Sequence, residues 1–119
     1  MRVMVIIKAN EDSEAGVMPS EKLLAEMGKF NEELVNAGLM LDGEGLHPSS
    51  KGKRVKFSGG NRIVTDGPFA ETREQIGGYF LVDAADLNEA IEIAARIPGA
   101  RIGTVEVRPV TEVEGLPDE

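Results

Sequence analysis

Val3-Met4-Val5-Ile6-Ile7 is the stretch of sequence that decides the fold. It is rich in β-branched residues and is apolar at both alternating parities, which predicts a strand that is covered on both faces. A second apolar strand of this kind is predicted at residues 79–82. A sheet built around two such strands needs a layer of protein on each side.

A helical pattern follows each of these strands. The first helix is predicted from an N-cap at Ser20 to a C-cap at Gly38, after a polar loop at residues 10–16. The residues of its apolar stripe are Leu23, Met27, Phe30 and Leu34, and those of its water-facing side include Glu26, Lys29, Asn31 and Glu33. The second helix is predicted between Asp86, which caps it, and Pro98-Gly99, which ends it.

The remaining strands are shorter. One is predicted at residues 39–41, two flank Gly59-Gly60 at residues 54–58 and 61–65, and the last covers residues 103–110. The predicted fold is therefore α+β: a ferredoxin-like βαββαβ arrangement with an inserted β-hairpin. We expect one domain over residues 1–113 and a frayed acidic tail at residues 114–119.

Two helices cover only one face of such a sheet. Because the first and third strands are apolar on both faces, the second face is predicted to be covered by another copy of the chain, which gives a homodimer. Glu106 and Arg108, on the polar side of the last strand, would then lie between the two sheets. An ion pair or a ligand contact would satisfy them there.

Composition narrows the class of function. The chain of 119 residues has no cysteine and one histidine, which argues against a disulfide framework, a thiol nucleophile or a metal site, and no cofactor motif is present. No apolar run is long enough to span a bilayer and no secretion signal is seen, so a cytoplasmic location is expected, with no membrane partner. The net charge of −8 disfavours nucleic acid as a partner.

The charge is unevenly distributed. Residues 45–65 contain five basic and no acidic residues, so this segment carries +5, and the total of −8 less this +5 leaves −13 for the remainder. The basic residues are Lys51, Lys53, Arg54, Lys56 and Arg62. They protect a hairpin edge from pairing, or they attract a small anionic ligand.

The segment after the hairpin carries a resemblance to a known family. Asp66-Gly67-Pro68-Phe69, followed by residues 71–74 (Glu-Thr-Arg-Glu) and 77–79 (Gly-Gly-Tyr), resembles the DGPF signature of the YCII-related proteins. The resemblance covers nearly the whole chain except the acidic tail. It implies a dimeric α+β barrel with a cleft near each protomer, no agreed activity, and gene neighbours that include alternative sigma factors.

One departure from the broader family matters for chemistry. Many YCII relatives carry a His near the start of the first helix and an Asp near its end, a suspected acid-base pair. This chain has Ser20-Glu21-Lys22 and Val35-Asn36 in those places. The relatives' chemistry is therefore not carried over, and a step assisted by histidine would have to use His47.

The candidate site residues have two interpretations each. Asp66 either holds a turn or forms a carboxylate cluster with Glu71 and Glu74 that works in acid-base catalysis. His47 is either an exposed loop residue or a ligand contact. The candidate catalytic residues are His47, Asp66 and Glu71. The candidate ligand-binding residues are Arg54, Arg62, Arg73, Glu74, Tyr79, Glu106 and Arg108.

Two classes of function stay open. The first is a cofactor-free isomerase, lyase or hydrolase that acts on an acidic metabolite. The second is a non-catalytic ligand-binding or regulatory dimer, tied to a sigma-factor response. A cofactor-free oxygenase is less favoured because the chain has only four Phe, one Tyr and no Trp.

Overall fold

The structure is a computed structural model that describes residues 1–70, 75–99 and 103–112. The elements in chain order are β1 (Arg2–Lys8), α1 (Glu11–Glu14), α2 (Glu21–Asn36), β2 (Met40–Gly45), the 3₁₀ helix η1 (Ser49–Lys51), β3 (Lys53–Ser58), β4 (Asn61–Asp66), β5 (Ile76–Asp83), α3 (Leu87–Ala95) and β6 (Val105–Pro109). The α+β class is confirmed. The predicted acidic tail lies outside the described residues.

The main sheet has four antiparallel strands in the order β2-β5-β1-β6. In its centre, Val5 of β1 lies opposite Phe80 of β5 on one side and Val107 of β6 on the other. The order follows from two strand-helix-strand connections that each pass over one neighbouring strand, and it is compatible with a ferredoxin-like fold. No helix in the described ranges is long and apolar enough to cross a membrane.

Strands β3 and β4 form a separate two-stranded antiparallel sheet, which we call the β3–β4 ribbon. Ser58 and Asn61 face each other on either side of Gly59 and Gly60, whose φ angles are 56° and 83°. Residues other than glycine rarely adopt such angles, so the two glycines allow the chain to reverse there.

The core lies between the main sheet and helices α2 and α3. Val3, Val5, Phe80 and Val82 from the sheet pack against Phe30 and Leu34 of α2 and against Ala90 and Ile93 of α3. The Phe30 and Phe80 rings meet edge to face with centroids 6.0 Å apart. The side-chain oxygen of Ser20 accepts a hydrogen bond from the Leu23 N–H, as expected of the predicted N-cap.

The opposite face of the main sheet, which we call the open sheet face, carries no part of this core. Strand alternation places Met4 there beside Leu81 and Arg108, and Ile6 beside Tyr79 and Glu106. Met4, Tyr79 and Leu81 are only half-buried, and Arg108 is exposed.

One predicted loop contains a helix. Residues 11–14 form the single turn α1, in which Asn10 and Ser13 cap each other reciprocally. Because α1 buries no residue, it has no apolar periodicity by which the sequence could reveal it.

Candidate functional site

A cavity of about 550 Å³ lies between α2 and one end of the main sheet; we call it the α2 cavity. Helix α2 contributes Leu23, Met27 and Asn31, and the sheet contributes Ile7, Phe80 and Val105. Its volume is within the range of small-molecule sites, about 300–1,000 Å³, and such sites are mainly apolar with few polar groups.

Four glycines explain why there is space under α2. Gly43 and Gly45 of β2 and Gly77 and Gly78 of β5 line the cavity where the two strands pair. A Cβ on Gly78 would lie 2.9 Å from the Glu44 carbonyl oxygen, and one on Gly43 would lie 3.0 Å from the Phe80 ring. Side chains at these two positions would therefore clash. The floor of the cavity at these strand ends is backbone without side chains.

Asn31 is the polar side chain that α2 presents at this cavity. Its Oδ1 is buried and finds no hydrogen-bond donor among the residues that the structure describes. A buried acceptor without a donor costs about 1–3 kcal/mol. A ligand that donates a hydrogen bond at this point would remove that cost.

The structure corrects the prediction that Asn31 lies on the water-facing side of α2. Asn31 is four residues after Met27, and both line the cavity. This i, i+4 spacing places the two side chains on one face of the helix. The four-residue spacing from Met27 was the signal in the sequence. The polar side chain of Asn31 favoured the water-facing side instead.

A second, smaller cavity of about 310 Å³ contains the one histidine of the chain, and we call it the His47 recess. His47 and Lys51 line it together with the apolar side chains of Leu46, Phe69 and Ile76. Glu14 and Ser49 form part of its wall. The recess thus combines two basic side chains with an apolar floor.

Ser49 joins three segments of chain at this recess. Its N–H donates to Glu14 Oε1 at 3.0 Å, and its Oγ–H donates to Glu14 Oε2. The same Oγ accepts a hydrogen bond from the Phe69 N–H at 3.1 Å. Ser49 is therefore the one polar residue that is buried among the described ranges, and its hydrogen bonds satisfy it.

The turn at Asp66-Gly67-Pro68-Phe69 packs directly on Ser49. The Gly67 N–H donates to the Gly52 carbonyl at 3.0 Å, and a Cβ on Gly67 would overlap the Ser49 carbonyl oxygen. Glycine is thus required because two backbone segments approach closely; its φ is not positive. The Arg54 guanidinium stacks 4.0 Å from the centroid of the Phe69 ring.

Asp66 is exposed and forms a 2.5 Å ion pair with Lys53 across the base of the ribbon. It lines neither of the two cavities, whereas His47 lines the recess. Glu71, the third candidate catalytic residue, lies outside the described residues. The structure therefore does not bring His47 and Asp66 together in one of these cavities.

The candidate ligand-binding residues are also dispersed. Arg54 and Arg62 are on the ribbon. On the open sheet face, Oε1 of Glu106 lies 3.6 Å from Lys8 Nζ, and its Oε2 lies 3.6 Å from Arg108 Nε. Tyr79 is among the residues that line the α2 cavity, but its side chain lies on the open sheet face, where the hydroxyl donates to Asp42 at 3.1 Å. This hydrogen bond raises the pKa of Tyr79. Arg73 and Glu74 lie outside the described residues.

Within the described ranges, no three acidic or histidine side chains cluster as they would to hold a metal ion. Asn31 at the α2 cavity can form hydrogen bonds, and Lys51 at the His47 recess can form charge contacts.

Two comparisons with known proteins bear on this arrangement. A family model described as the YCII-related domain matches residues 1–114. The chain is also 36% identical over 92 residues to an uncharacterised protein of Rhizobium meliloti (strain 1021), an alignment that covers 76% of this chain and 74% of the relative. The name of that relative states no activity.

Proposed function

The chain belongs to the YCII-related family, and on that premise we propose that it is a dimeric small-molecule-binding protein whose ligand occupies the α2 cavity. The observation that carries this proposal is the buried, donor-less Asn31 Oδ1 in the wall of a mainly apolar cavity. The ligand class that fits is a compact apolar molecule with one hydrogen-bond donor.

Binding is favoured over catalysis for this cavity because of what its wall contains. Leu23, Met27 and Phe80 supply apolar surface, and the glycine floor supplies backbone. The titratable residues of the lining are Glu44 and Tyr79, which lie opposite each other in the sheet, and strand alternation directs their side chains to the open sheet face, away from α2. Catalysis by proton transfer needs a titratable group within hydrogen-bond reach of the substrate. His47 and Asp66, the leading acid-base candidates, lie elsewhere in the fold.

The dimer part of the proposal rests on the open sheet face. Met4 and Leu81 lie side by side there, half-buried, with no helix of the core above them. The identical face of a second copy would shield such an apolar face from water, and the two sheets would then form a dimeric α+β barrel. Light scattering tests this part: a mass of one chain, 12.8 kDa, at micromolar concentration would exclude it.

The experiment for the α2 cavity compares two probes that differ by one hydrogen-bond donor. We expect 2-naphthol to bind the protein more tightly than 2-methoxynaphthalene, by about 5- to 10-fold for one net hydrogen bond. In Asn31→Leu this preference should disappear while the methoxy compound still binds. The matched control is Asn36→Leu, an exposed position on the same helix, which should keep the preference.

Titration of amide chemical shifts by NMR would give both affinities and would locate the probes. Shifts confined to residues away from Leu23 and Met27, or an equal preference in the wild-type protein and in Asn31→Leu, would disprove the proposal. Circular dichroism of each variant shows whether the fold is retained.

An enzyme acting on an acidic metabolite is the second candidate, because His47 and Lys51 line the same recess. Lys51 would bind the substrate carboxylate and His47 would transfer a proton. A reaction that is lost in His47→Ala and retained in Asn31→Leu would favour this function. For either function we propose the cytoplasm as the location, since a chain without cysteine has no need of an oxidising compartment.

A further inference from the structure

The α2 cavity is closed at one end and open at the other. Asn31 lies at the closed end, because the next turn of α2 carries Leu34, which is buried in the core. Phe80, also buried, closes the sheet side of this end. At the other end, the described lining residues that are exposed, apart from Glu44 with its side chain on the open sheet face, are Pro19, Gly45 and Gly99. We call these three residues the cavity mouth.

The length of the cavity follows from the helix that covers it. Leu23, Met27 and Asn31 line the cavity at successive spacings of four residues. Because a helix rises about 1.5 Å per residue, the distance along α2 from Leu23 to Asn31 is about 12 Å. Leu23 is at the mouth end, since a Cβ on Gly99 would lie 3.4 Å from its Cδ1. The cavity therefore runs along α2 from the mouth to Asn31.

Gly45 keeps the mouth free of a side chain. Gly45 pairs with Gly78 as Gly43 pairs with Phe80, so strand alternation directs a side chain at position 45 to the core face, where the cavity lies. A Cβ on Gly45 would meet no atom of the described chain within 4 Å, and its φ is not positive. Steric contact therefore explains the glycine at position 43 or 78 but not the one at position 45, whose effect is to leave the mouth open.

We propose that the ligand of this cavity lies along α2, with its hydrogen-bond donor at Asn31 and its apolar end at the mouth. The ligand class is then a slender molecule about 12 Å long with one polar end, such as a phenol with an alkyl chain opposite its hydroxyl. The reverse orientation would leave Asn31 without a donor. This inference rests on the ligand site that we proposed above, and it adds the orientation and the length of the ligand.

Alkylphenols test the orientation, because two isomers with equal apolar area differ in shape. In the wild-type protein, 4-butylphenol should bind about 10-fold more tightly than 2-butylphenol, the difference expected when about two methylene groups stay outside the cavity. From phenol to 4-butylphenol the affinity should rise about 2- to 4-fold per carbon. Longer chains should add little, because they extend through the mouth into water.

A variant that fills the mouth tests the role of Gly45. Gly45→Leu should weaken binding of 4-butylphenol about 10-fold and change that of unsubstituted phenol less than about 2-fold, since the ring lies at the Asn31 end. The matched control is Gly28→Leu, which adds the same side chain to an exposed position of α2 outside the lining. A Cβ on Gly28 would also meet nothing within 4 Å of the described chain, so both variants are expected to fold. The control should bind both phenols as the wild-type protein does.

NMR of the wild-type complex gives the orientation directly and does not depend on either variant. The terminal methyl group of 4-butylphenol should show nuclear Overhauser contacts with the Hα protons of Gly45 and Gly99. Contacts of that methyl group with Met40 at the closed end, or equal affinities for the two isomers, would overturn the orientation. If the amide shifts still locate the phenols at Leu23 and Met27, the ligand site itself would stand. A protein that binds neither these phenols nor 2-naphthol would overturn the site as well.

Discussion

The close approach of Gly67 to Ser49 leads to a stability prediction with a defined size. In Gly67→Ala the new methyl group would overlap the Ser49 carbonyl oxygen, which is backbone and is held in place by the bonds from Ser49 to Glu14. The chain segments around Gly67 and Ser49 would have to move apart to make room for the methyl group. Overpacking of this kind costs about 1–3 kcal/mol.

Separation would also weaken two hydrogen bonds, from the Gly67 N–H to Gly52 and from the Phe69 N–H to Ser49, each worth about 1 kcal/mol net. The lower entropy of the unfolded alanine chain offsets about 0.5–1 kcal/mol. We therefore expect the free energy of unfolding to fall by about 2–4 kcal/mol, and Tm by about 10–15 °C for a chain of this size.

Urea denaturation and calorimetry at one protein concentration would measure both quantities. Gly28→Ala is the matched control: it adds the same methyl group inside α2, where a Cβ would meet nothing within 4 Å. It should raise the free energy of unfolding by about 0.5–1 kcal/mol. A loss below about 1 kcal/mol in Gly67→Ala would refute the steric account of this glycine.

Three further predictions concern single residues. Glu14→Gln should lower the free energy of unfolding by about 1–3 kcal/mol, because a charged acceptor of two hydrogen bonds from Ser49 is lost. Glu11→Gln, in the same helical turn, should leave the free energy of unfolding unchanged. The urea midpoints of the two variants measure the difference. Leu34→Ala should cost about 2–5 kcal/mol, since the side chain is 1% exposed in the core, and a cost under about 1 kcal/mol would contradict that packing. Tyr79 is the only tyrosine, so ultraviolet absorbance at alkaline pH follows it alone. Its titration midpoint should lie above the ordinary value and should fall in Asp42→Asn. Because the folded pKa is raised, the stabilisation is complete below about pH 10, the unfolded value, and is lost as the pH rises through the folded pKa.

The main sheet and the two longer helices could be predicted from the sequence because their residues are buried with a regular period. Val3 and Val5 alternate with residues of the other face, and Phe30 and Leu34 are one helical turn apart, so burial left a readable pattern. Strand β2 was predicted at residues 39–41 but covers Met40–Gly45. Its second half includes Gly43 and Gly45, which have no side chain to show which face is buried.

The candidate site was less accessible from the sequence because it depends on contacts between distant segments. Ser49 is 35 residues from Glu14 and 20 from Phe69, and none of the three is unusual where it stands in the chain. The Asp-Gly-Pro-Phe motif did mark the region. The role of its glycine depends on another loop, because the absence of a side chain at Gly67 admits the carbonyl oxygen of Ser49.

The hydrogen bonds of Ser49 also bear on the order in which the chain folds. They close loops of 35 and 20 residues, and the entropy lost in closing each loop is offset only when these hydrogen bonds have formed. We expect this junction to form after the transition state, so that Glu14→Gln would accelerate unfolding and leave the refolding rate nearly unchanged in stopped-flow kinetics. The His47 recess would then be among the last parts of the molecule to assemble and among the first to open.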